Sequence, residues 1–172
     1  MNILGRIAVG LATLVALAIV TFLAVGADRF WRIFGEPDLG PVSFEELERR
    51  STPNDALACP PELCRARVDV PTPLYPVPAR ALRLAFAKAI ASEPRLSVVD
   101  ANDSTLTDRY VQRSERLGFP DTIVVRLLDR PDGRSTLALY SRSQLGRSDL
   151  GVNRARIERW LARLATEMRP VD

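Results

Sequence analysis

The 172-residue sequence contains no histidine, only two cysteines and a single lysine. Without histidine there is no imidazole for acid–base catalysis, for Ser-His-Asp or Cys-His nucleophile systems, or for metal coordination. Two cysteines are too few for a four-thiolate structural zinc site. We therefore expect no catalytic set, no metal and no cofactor, and any enzyme built on this chain would depend on carboxylate, hydroxyl or amine chemistry.

One long apolar run stands out in this otherwise ordinary globular composition. Residues 7–27, "IAVGLATLVALAIVTFLAVGA", contain no charge, and as a helix they would span about 30 Å, the thickness of a bilayer core. Phe30 and Trp31 follow, where interfacial aromatic residues are expected. The run is longer than the core of a secretory signal, although Val25-Gly26-Ala27 offers a cleavage site. We expect an uncleaved membrane anchor, with a cleaved signal peptide as the alternative.

The side of the membrane is indicated less directly. Arg6 precedes the apolar run and Arg29 and Arg32 follow it, which is close to a tie by the positive-inside rule. Cys59 and Cys64 in "CPPELC" are spaced for a small disulfide loop in an oxidising compartment, and two buried thiols are the alternative. We expect a single-pass protein of the inner membrane whose globular domain lies on the periplasmic side.

The chain after the apolar run predicts an α+β domain. We expect an anchor over residues 1–28, a tether over 29–53 with a short helix near Ser43, and a globular domain over 54–172. Apolar spacing predicts amphipathic helices over 79–92 and 150–168. Four alternating segments joined by turns predict an antiparallel β-meander, to which a strand at 63–70 could add. The two helices should cover one face of this sheet.

The densest polar segment is the strand-to-helix junction over residues 140–157, "YSRSQLGRSDLGVNRARI". Its hydroxyl, guanidinium and backbone N–H groups are those of an anion site, and a structural lock is the favoured alternative. In the lock, Ser148 or Asp149 caps the last helix, Asp149 pairs with Arg142 or Arg147, and Asn153 is buried. The candidate residues are Ser141, Arg142, Ser143, Arg147, Ser148, Asp149, Asn153 and Arg156.

Residues outside this junction add little chemistry. Gln112, Arg113 and Ser114 could face the junction across the sheet, and Asp121 is interpreted as a turn residue. Periodicity places Leu150 on the apolar face of the last helix and Arg156 on its polar face, with Arg159 and Arg163. No aromatic platform accompanies these arginines, so we expect no nucleic-acid binding. Anionic lipid headgroups are the better charged partner for a membrane-anchored chain.

The sequence resembles the bacterial and plastid domain-of-unknown-function family 1499 (DUF1499). The resemblance lies in "GFPDTIVVRL" and "LALYSRSQLGRSDLGVNRARIERWL", with "CPPELC" and "YVQRSERL" upstream, and it covers residues 54–165. It implies a small protein with an N-terminal hydrophobic segment and assigns no activity. The matching motif positions are Ser141, Arg142, Ser143, Gly146, Ser148, Asp149, Gly151, Asn153, Arg156 and Ile157.

Three functional hypotheses follow. The first is a membrane-anchored, non-enzymatic envelope domain that binds a protein partner or an anionic ligand. The second is a hydrolase or transferase of lipid-derived or phosphorylated substrates that uses Asp149 with Arg142 and Arg147. The third is a scaffold subunit, which predicts an exposed apolar patch on an uncovered sheet face.

Overall fold

The computed structural model describes residues 2–171, so Met1 and Asp172, the outer ends of the expected anchor and domain, lie outside the described residues. The helices are α1 (Ile3–Val25), α2 (Ala27–Trp31), α3 (Ala79–Ile90) and α4 (Val152–Glu167), with a 3-10 turn at Arg32–Phe34. The strands are β1 (Asp55–Ala58), β2 (Leu96–Asn102), β3 (Thr107–Arg113), β4 (Pro120–Asp129) and β5 (Ser135–Ser143). The α+β prediction is confirmed.

Helix α1 contains the apolar run and has no buried residue. The helix is long and apolar enough to cross a membrane. A signal sequence near an N-terminus meets the same two criteria. The helix ends at Gly26, whose φ of 83° lies in the left-handed region that glycine adopts without strain. The chain then turns into α2, which carries Phe30 and Trp31.

The sheet is antiparallel throughout, in the order β1-β5-β4-β3-β2. Strands β2 to β5 form the predicted meander. The fifth strand is β1, upstream of the expected segment at 63–70, which contributes only a single bridge between Ala58 and Val70. Leu57 and its alanine neighbours are buried on both faces, so β1 lacks the alternation by which a strand is normally detected.

Helices α3 and α4 cover one face of the sheet, as predicted. Phe86 of α3 meets Trp160 of α4 edge-on at 5.9 Å between ring centroids, and Tyr110 of β3 meets Trp160 at 6.2 Å. Such aromatic pairs add about 0.5–1.5 kcal/mol to the apolar burial. The remaining core side chains include Leu82, Ile90, Ile123, Leu127, Leu137, Leu139, Ile157 and Leu164.

The segment before β1 covers the other face and corrects two expectations. Phe44 is almost completely buried against Val124 and Tyr140, and residues 44–46 form bends rather than the helix expected near Ser43. The segment 29–53, expected to be a tether, instead packs on the domain, so the packed unit begins before residue 54. Strand β4 is apolar on both faces and therefore needs a cover on each. The scaffold hypothesis predicted an uncovered sheet face, and the N-terminal segment covers that face.

Candidate functional site at the strand–helix junction

The candidate site lies where β5 passes through residues 144–151 into α4. Asn54, which lies just before β1, is hydrogen-bonded to this loop. Its Nδ2 donates to the carbonyl of Gly146 at 2.7 Å, and its own carbonyl accepts from Ser143 N at 2.9 Å. Arg50 donates to the carbonyl of Ser143. The residues just before β1 therefore fix the junction, a long-range contact that the motif itself does not reveal.

Arg156 is the centre of a buried polar cluster. Its Nη2 donates to Asp121 Oδ2 at 2.6 Å, its Nε to Gln112 Oε1 at 2.6 Å and its Nη1 to Ser141 Oγ at 2.8 Å. The side chains of Arg156 and Asp121 are only 4% and 8% exposed. Two expectations are corrected here, because Arg156 lies on the buried face of α4 and Asp121 is a buried strand residue rather than a turn residue.

Asn153 connects this cluster to the loop. Its Oδ1 accepts from Ser141 Oγ and Arg156 Nη1, both at 2.6 Å, and its Nδ2 donates to Ser143 Oγ at 2.9 Å and to the carbonyl of Asn54 at 3.1 Å. The amide of Asn153 thereby uses both its oxygen and its nitrogen inside the protein. Asn153 is buried as expected, and a ligand would have to displace existing hydrogen bonds to reach it.

The cluster continues toward the surface through Gln112, as the sequence suggested. Gln112 Nε2 donates to Glu93 Oε2 at 2.9 Å, and Glu93 also pairs with Arg159 at 3.1 Å and Arg163 at 2.9 Å. Burial alone would raise the pKa of Glu93, but the hydrogen bonds from Arg159 and Gln112 outweigh it and lower that pKa to about 2. Glu93 is therefore a structural carboxylate that stays ionised.

Arg142 points away from the buried cluster because successive strand residues face opposite sides of a sheet. Its Nη2 donates to the carbonyls of Leu39 at 2.9 Å and Gly40 at 2.7 Å, which fastens the N-terminal segment to β5. Burial lowers the pKa of Arg142. Among the described residues Arg142 forms no ion pair with Asp149, so the pairing expected between these two is not present.

Asp149 and Ser148 stabilise the start of α4. Asp149 Oδ2 accepts from Asn153 N at 2.8 Å and its Oδ1 from Gly151 N at 3.0 Å, while Ser148 Oγ accepts from Leu150 N at 3.2 Å. A carboxylate that accepts backbone N–H groups at a helix start satisfies donors that the helix cannot. Arg147 is exposed, and within residues 2–171 no ion pair links it to Asp149.

A cavity of about 270 Å³ opens beside the junction. Phe119, Leu145, Leu150 and Val152 supply its apolar surface, and its polar lining residues are Ser114, Asp121, Ser143, Ser148 and Asp149. Leu150 was expected on the buried face of α4, but it precedes the helix and is 94% exposed. Its φ of 53° lies in the left-handed region, which is unusual for a leucine.

The same end of the domain contacts α2. Trp31 stacks on Phe119 at 4.5 Å between ring centroids, and Trp31 Nε1 donates to the carbonyl of Leu117 at 2.5 Å. Gly118 lies so close that a Cβ there would meet the Cβ of Ala27 at 2.7 Å. Since Phe119 also lines the cavity, the cavity and the end of the apolar helix are neighbours.

Cys59 and Cys64 are bonded to each other, with 6.1 Å between their Cα atoms. Both cysteines lie in the apolar cluster that contains Phe44 and Leu57. In the part of the chain that the structure describes, no three histidine, cysteine or acidic side chains are grouped so that they could hold a metal ion. Most polar groups of the junction bond to one another or to the backbone, whereas the buried Arg142 Nε and Gln144 Oε1 have no hydrogen-bond partner among the described residues.

The fold and the junction together define an α+β domain with a buried arginine-centred cluster, preceded by an apolar helix. A family model described as "Protein of unknown function (DUF1499)" matches residues 50–164. This match covers more than half of the chain, so the protein belongs to that family and the resemblance is confirmed. No curated protein matches the chain.

Proposed function

We propose that the protein is a non-enzymatic domain of the bacterial envelope that binds anionic lipid headgroups at the membrane surface. In this proposal residues 7–27 anchor it in the inner membrane and the globular part lies on the periplasmic side. The ligand surface is the membrane-facing end, which we define as residues 114–119 and 144–151 together with α2. The alternative hydrolase or transferase would use Asp149 with Arg142 and Arg147.

The contact of Trp31 with Phe119 and Leu117 carries the proposal. Trp31 follows α1 by six residues, at the depth where aromatic side chains favour the membrane interface. Because Trp31 also packs on the turn between β3 and β4, the membrane-facing end would be held at headgroup level rather than suspended above it.

This end carries three arginines, Arg29, Arg116 and Arg147, and all of them are exposed. Its formal charge is zero, because Asp28, Glu115 and Asp149 lie in the same ranges, so the attraction to anionic lipids in this proposal is local to the arginines. Basic side chains near an anionic surface each contribute about 1 kcal/mol to binding. The non-enzymatic part of the proposal rests on the engagement of the junction: Asp149 accepts two backbone N–H groups and Arg142 donates to two backbone carbonyls. These bonds favour a structural role for both groups, and the buried Nε of Arg142 is the part of that guanidinium without a hydrogen-bond partner among the described residues.

Thermal unfolding of the full chain in detergent tests the headgroup proposal. Added phosphatidylglycerol should raise the melting temperature more than phosphatidylcholine, because a ligand that binds the folded state stabilises it by mass action. Replacing Arg116 and Arg147 together by alanine should remove about 2 kcal/mol of binding, roughly a 30-fold loss of affinity. The matched control replaces Arg65 and Arg80, which are also exposed but lie elsewhere. Equal shifts with both lipids, or equal losses in both double variants, would contradict the proposal.

The membrane placement needs its own experiment. Protease added to spheroplasts should digest the globular part without lysis if it lies on the periplasmic side. The intact mass of the membrane-bound protein should include residues 7–27. Protection from protease until the cells are lysed would refute the orientation, and a mass lacking the apolar run would show a cleaved signal.

The edge strand β2 favours a protein partner as the second candidate. Residues 97–102 are all exposed, and Val98 and Val99 present apolar side chains there. An open edge can accept a further strand through its unpaired backbone groups. The register shift between Val98 and Asp100 limits this pairing. A Val98→Lys change should abolish co-purification of such a partner while leaving the lipid response unchanged.

A further inference from the structure

We infer that the cavity beside the junction takes up part of an acyl chain from a phospholipid of the surrounding bilayer. This inference rests on the proposed function, which places the membrane-facing end at headgroup level, and it adds the apolar part of the ligand. A volume of about 270 Å³ holds on the order of ten water-sized groups, a stretch of hydrocarbon rather than a large metabolite.

The lining of the cavity favours hydrocarbon over a polar ligand. The oxygens of its lining already accept hydrogen bonds: Ser114 Oγ from Phe119 N at 3.0 Å and Ser148 Oγ from Leu150 N at 3.2 Å. Asp121 and Ser143, which also line the cavity, accept from Arg156 and Asn153 of the buried cluster. Asp149 accepts from two further backbone N–H groups. A polar molecule would find few free partners there, whereas an apolar chain would remove the surfaces of Phe119, Leu145 and Val152 from water.

Continuity with the apolar helix identifies the occupant. A second cavity of about 330 Å³ lies between Ile19, Phe22 and Trp31 on one side and Leu117 on the other. Leu117 and Phe119 belong to the same turn, so each cavity is lined by an apolar residue of that turn. In this inference a hydrocarbon chain that lies along α1 in the membrane crosses the turn to reach the first cavity.

Leu150 supports the same occupant. It stands at the mouth of the cavity, 94% exposed, with a backbone conformation that leucine rarely adopts. Asparagine or glycine would fit this position with less strain. A large apolar side chain held outward next to a membrane anchor is suited to contact hydrocarbon rather than water.

The experiment uses the full chain in nanodiscs that contain a phospholipid with a diazirine near the end of one acyl chain. That position normally lies near the bilayer centre, so labelling of the domain requires the chain to leave the bilayer. After irradiation and trypsin digestion, we expect label on peptides of α1 and on residues 143–147 and 148–154. The headgroup is phosphatidylglycerol in one preparation and phosphatidylcholine in another.

Leu150→Asp should reduce labelling of these two junction peptides at least fivefold and leave α1 labelling unchanged. Leu84→Asp is the matched control, because Leu84 is 72% exposed on α3, and it should change neither. Leu150→Gly removes the side chain and relieves the unfavourable φ, so it should also reduce labelling without lowering the melting temperature.

Three results would overturn the inference. They are label confined to α1, junction label that persists in both Leu150 variants, and an equal loss of junction label in the Leu84→Asp control. If any of these occurred while phosphatidylglycerol still raised the melting temperature selectively, headgroup binding would stand and only the acyl site would fail. Loss of both responses would refute the proposed function as well.

Discussion

The buried pair between Asp121 and Arg156 should contribute far more to stability than an exposed pair on the same helix. The N–O distance is 2.6 Å and the side chains are 8% and 4% exposed, so Asp121→Asn leaves the guanidinium buried without its counter-charge. Removing one partner of a buried pair costs about 3–5 kcal/mol. For a domain of this size that lowers the melting temperature by roughly 6–20 °C.

Arg154 and Glu158 provide the matched comparison. They are 2.8 Å apart on α4, with side chains 59% and 50% exposed, and such i,i+4 pairs contribute about 0.3–0.5 kcal/mol. Glu158→Gln should therefore lower the melting temperature by no more than about 2 °C. The assay is unfolding of the full chain in detergent, followed by circular dichroism. Equal costs for Asp121→Asn and Glu158→Gln would refute the argument that burial decides the strength of these pairs.

Three further predictions concern single interactions, each measured by the same unfolding assay. Asp149→Asn keeps one acceptor oxygen at the start of α4 and should cost about 1 kcal/mol without changing the lipid response, whereas a lost lipid response would favour a ligand role. Glu93 has its pKa lowered to about 2, so its stabilisation is complete above about pH 4.5 and is lost as pH falls toward 2. The stability difference between wild type and Glu93→Gln should shrink over that interval, and a constant difference would contradict the ion-pair account. Replacing Cys59 and Cys64 together by serine should lower the free energy of unfolding by about 2 kcal/mol, because the unfolded chain gains conformational freedom. An unchanged stability would show that the disulfide does not restrict the unfolded chain.

The meander and both amphipathic helices could be predicted because their signals are local. Alternating strands and turn residues such as Pro131-Asp132-Gly133 specify pairing between neighbours in sequence. Strand β1 could not be found in this way, because three of its four residues are buried in succession and show no alternation. The N-terminal segment was missed for a related reason: its glycines and prolines resemble a linker, and among residues 29–53, all of them described, Phe44 is the one buried residue.

The hydrogen bonds within the junction could not be predicted from the sequence. Arg156 was assigned to the polar face because it is charged, yet it follows Asn153 by three residues and precedes Trp160 by four, which is the spacing of the buried stripe. Its partner Asp121 follows Phe119-Pro120, a pattern typical of turns. Burial of both charges depends on a contact 35 residues apart in sequence, and no local pattern contains that information.

The junction motif contains buried residues, which should stabilise the fold, and exposed residues, which are available for binding. Ser141, Asn153 and Arg156 are buried and bonded to one another, so they fix the position of the loop relative to the sheet. Leu150 and Arg147 are exposed on that loop and make no contribution to the buried cluster. The buried hydrogen bonds hold the loop in one conformation while its apolar tip is exposed. Such a loop loses little conformational entropy when it binds a surface. Substitutions of the buried residues should therefore lower the stability of the fold, and substitutions at the exposed tip should weaken lipid contact. Both sets of residues nevertheless belong to one motif of seventeen positions, residues 141–157.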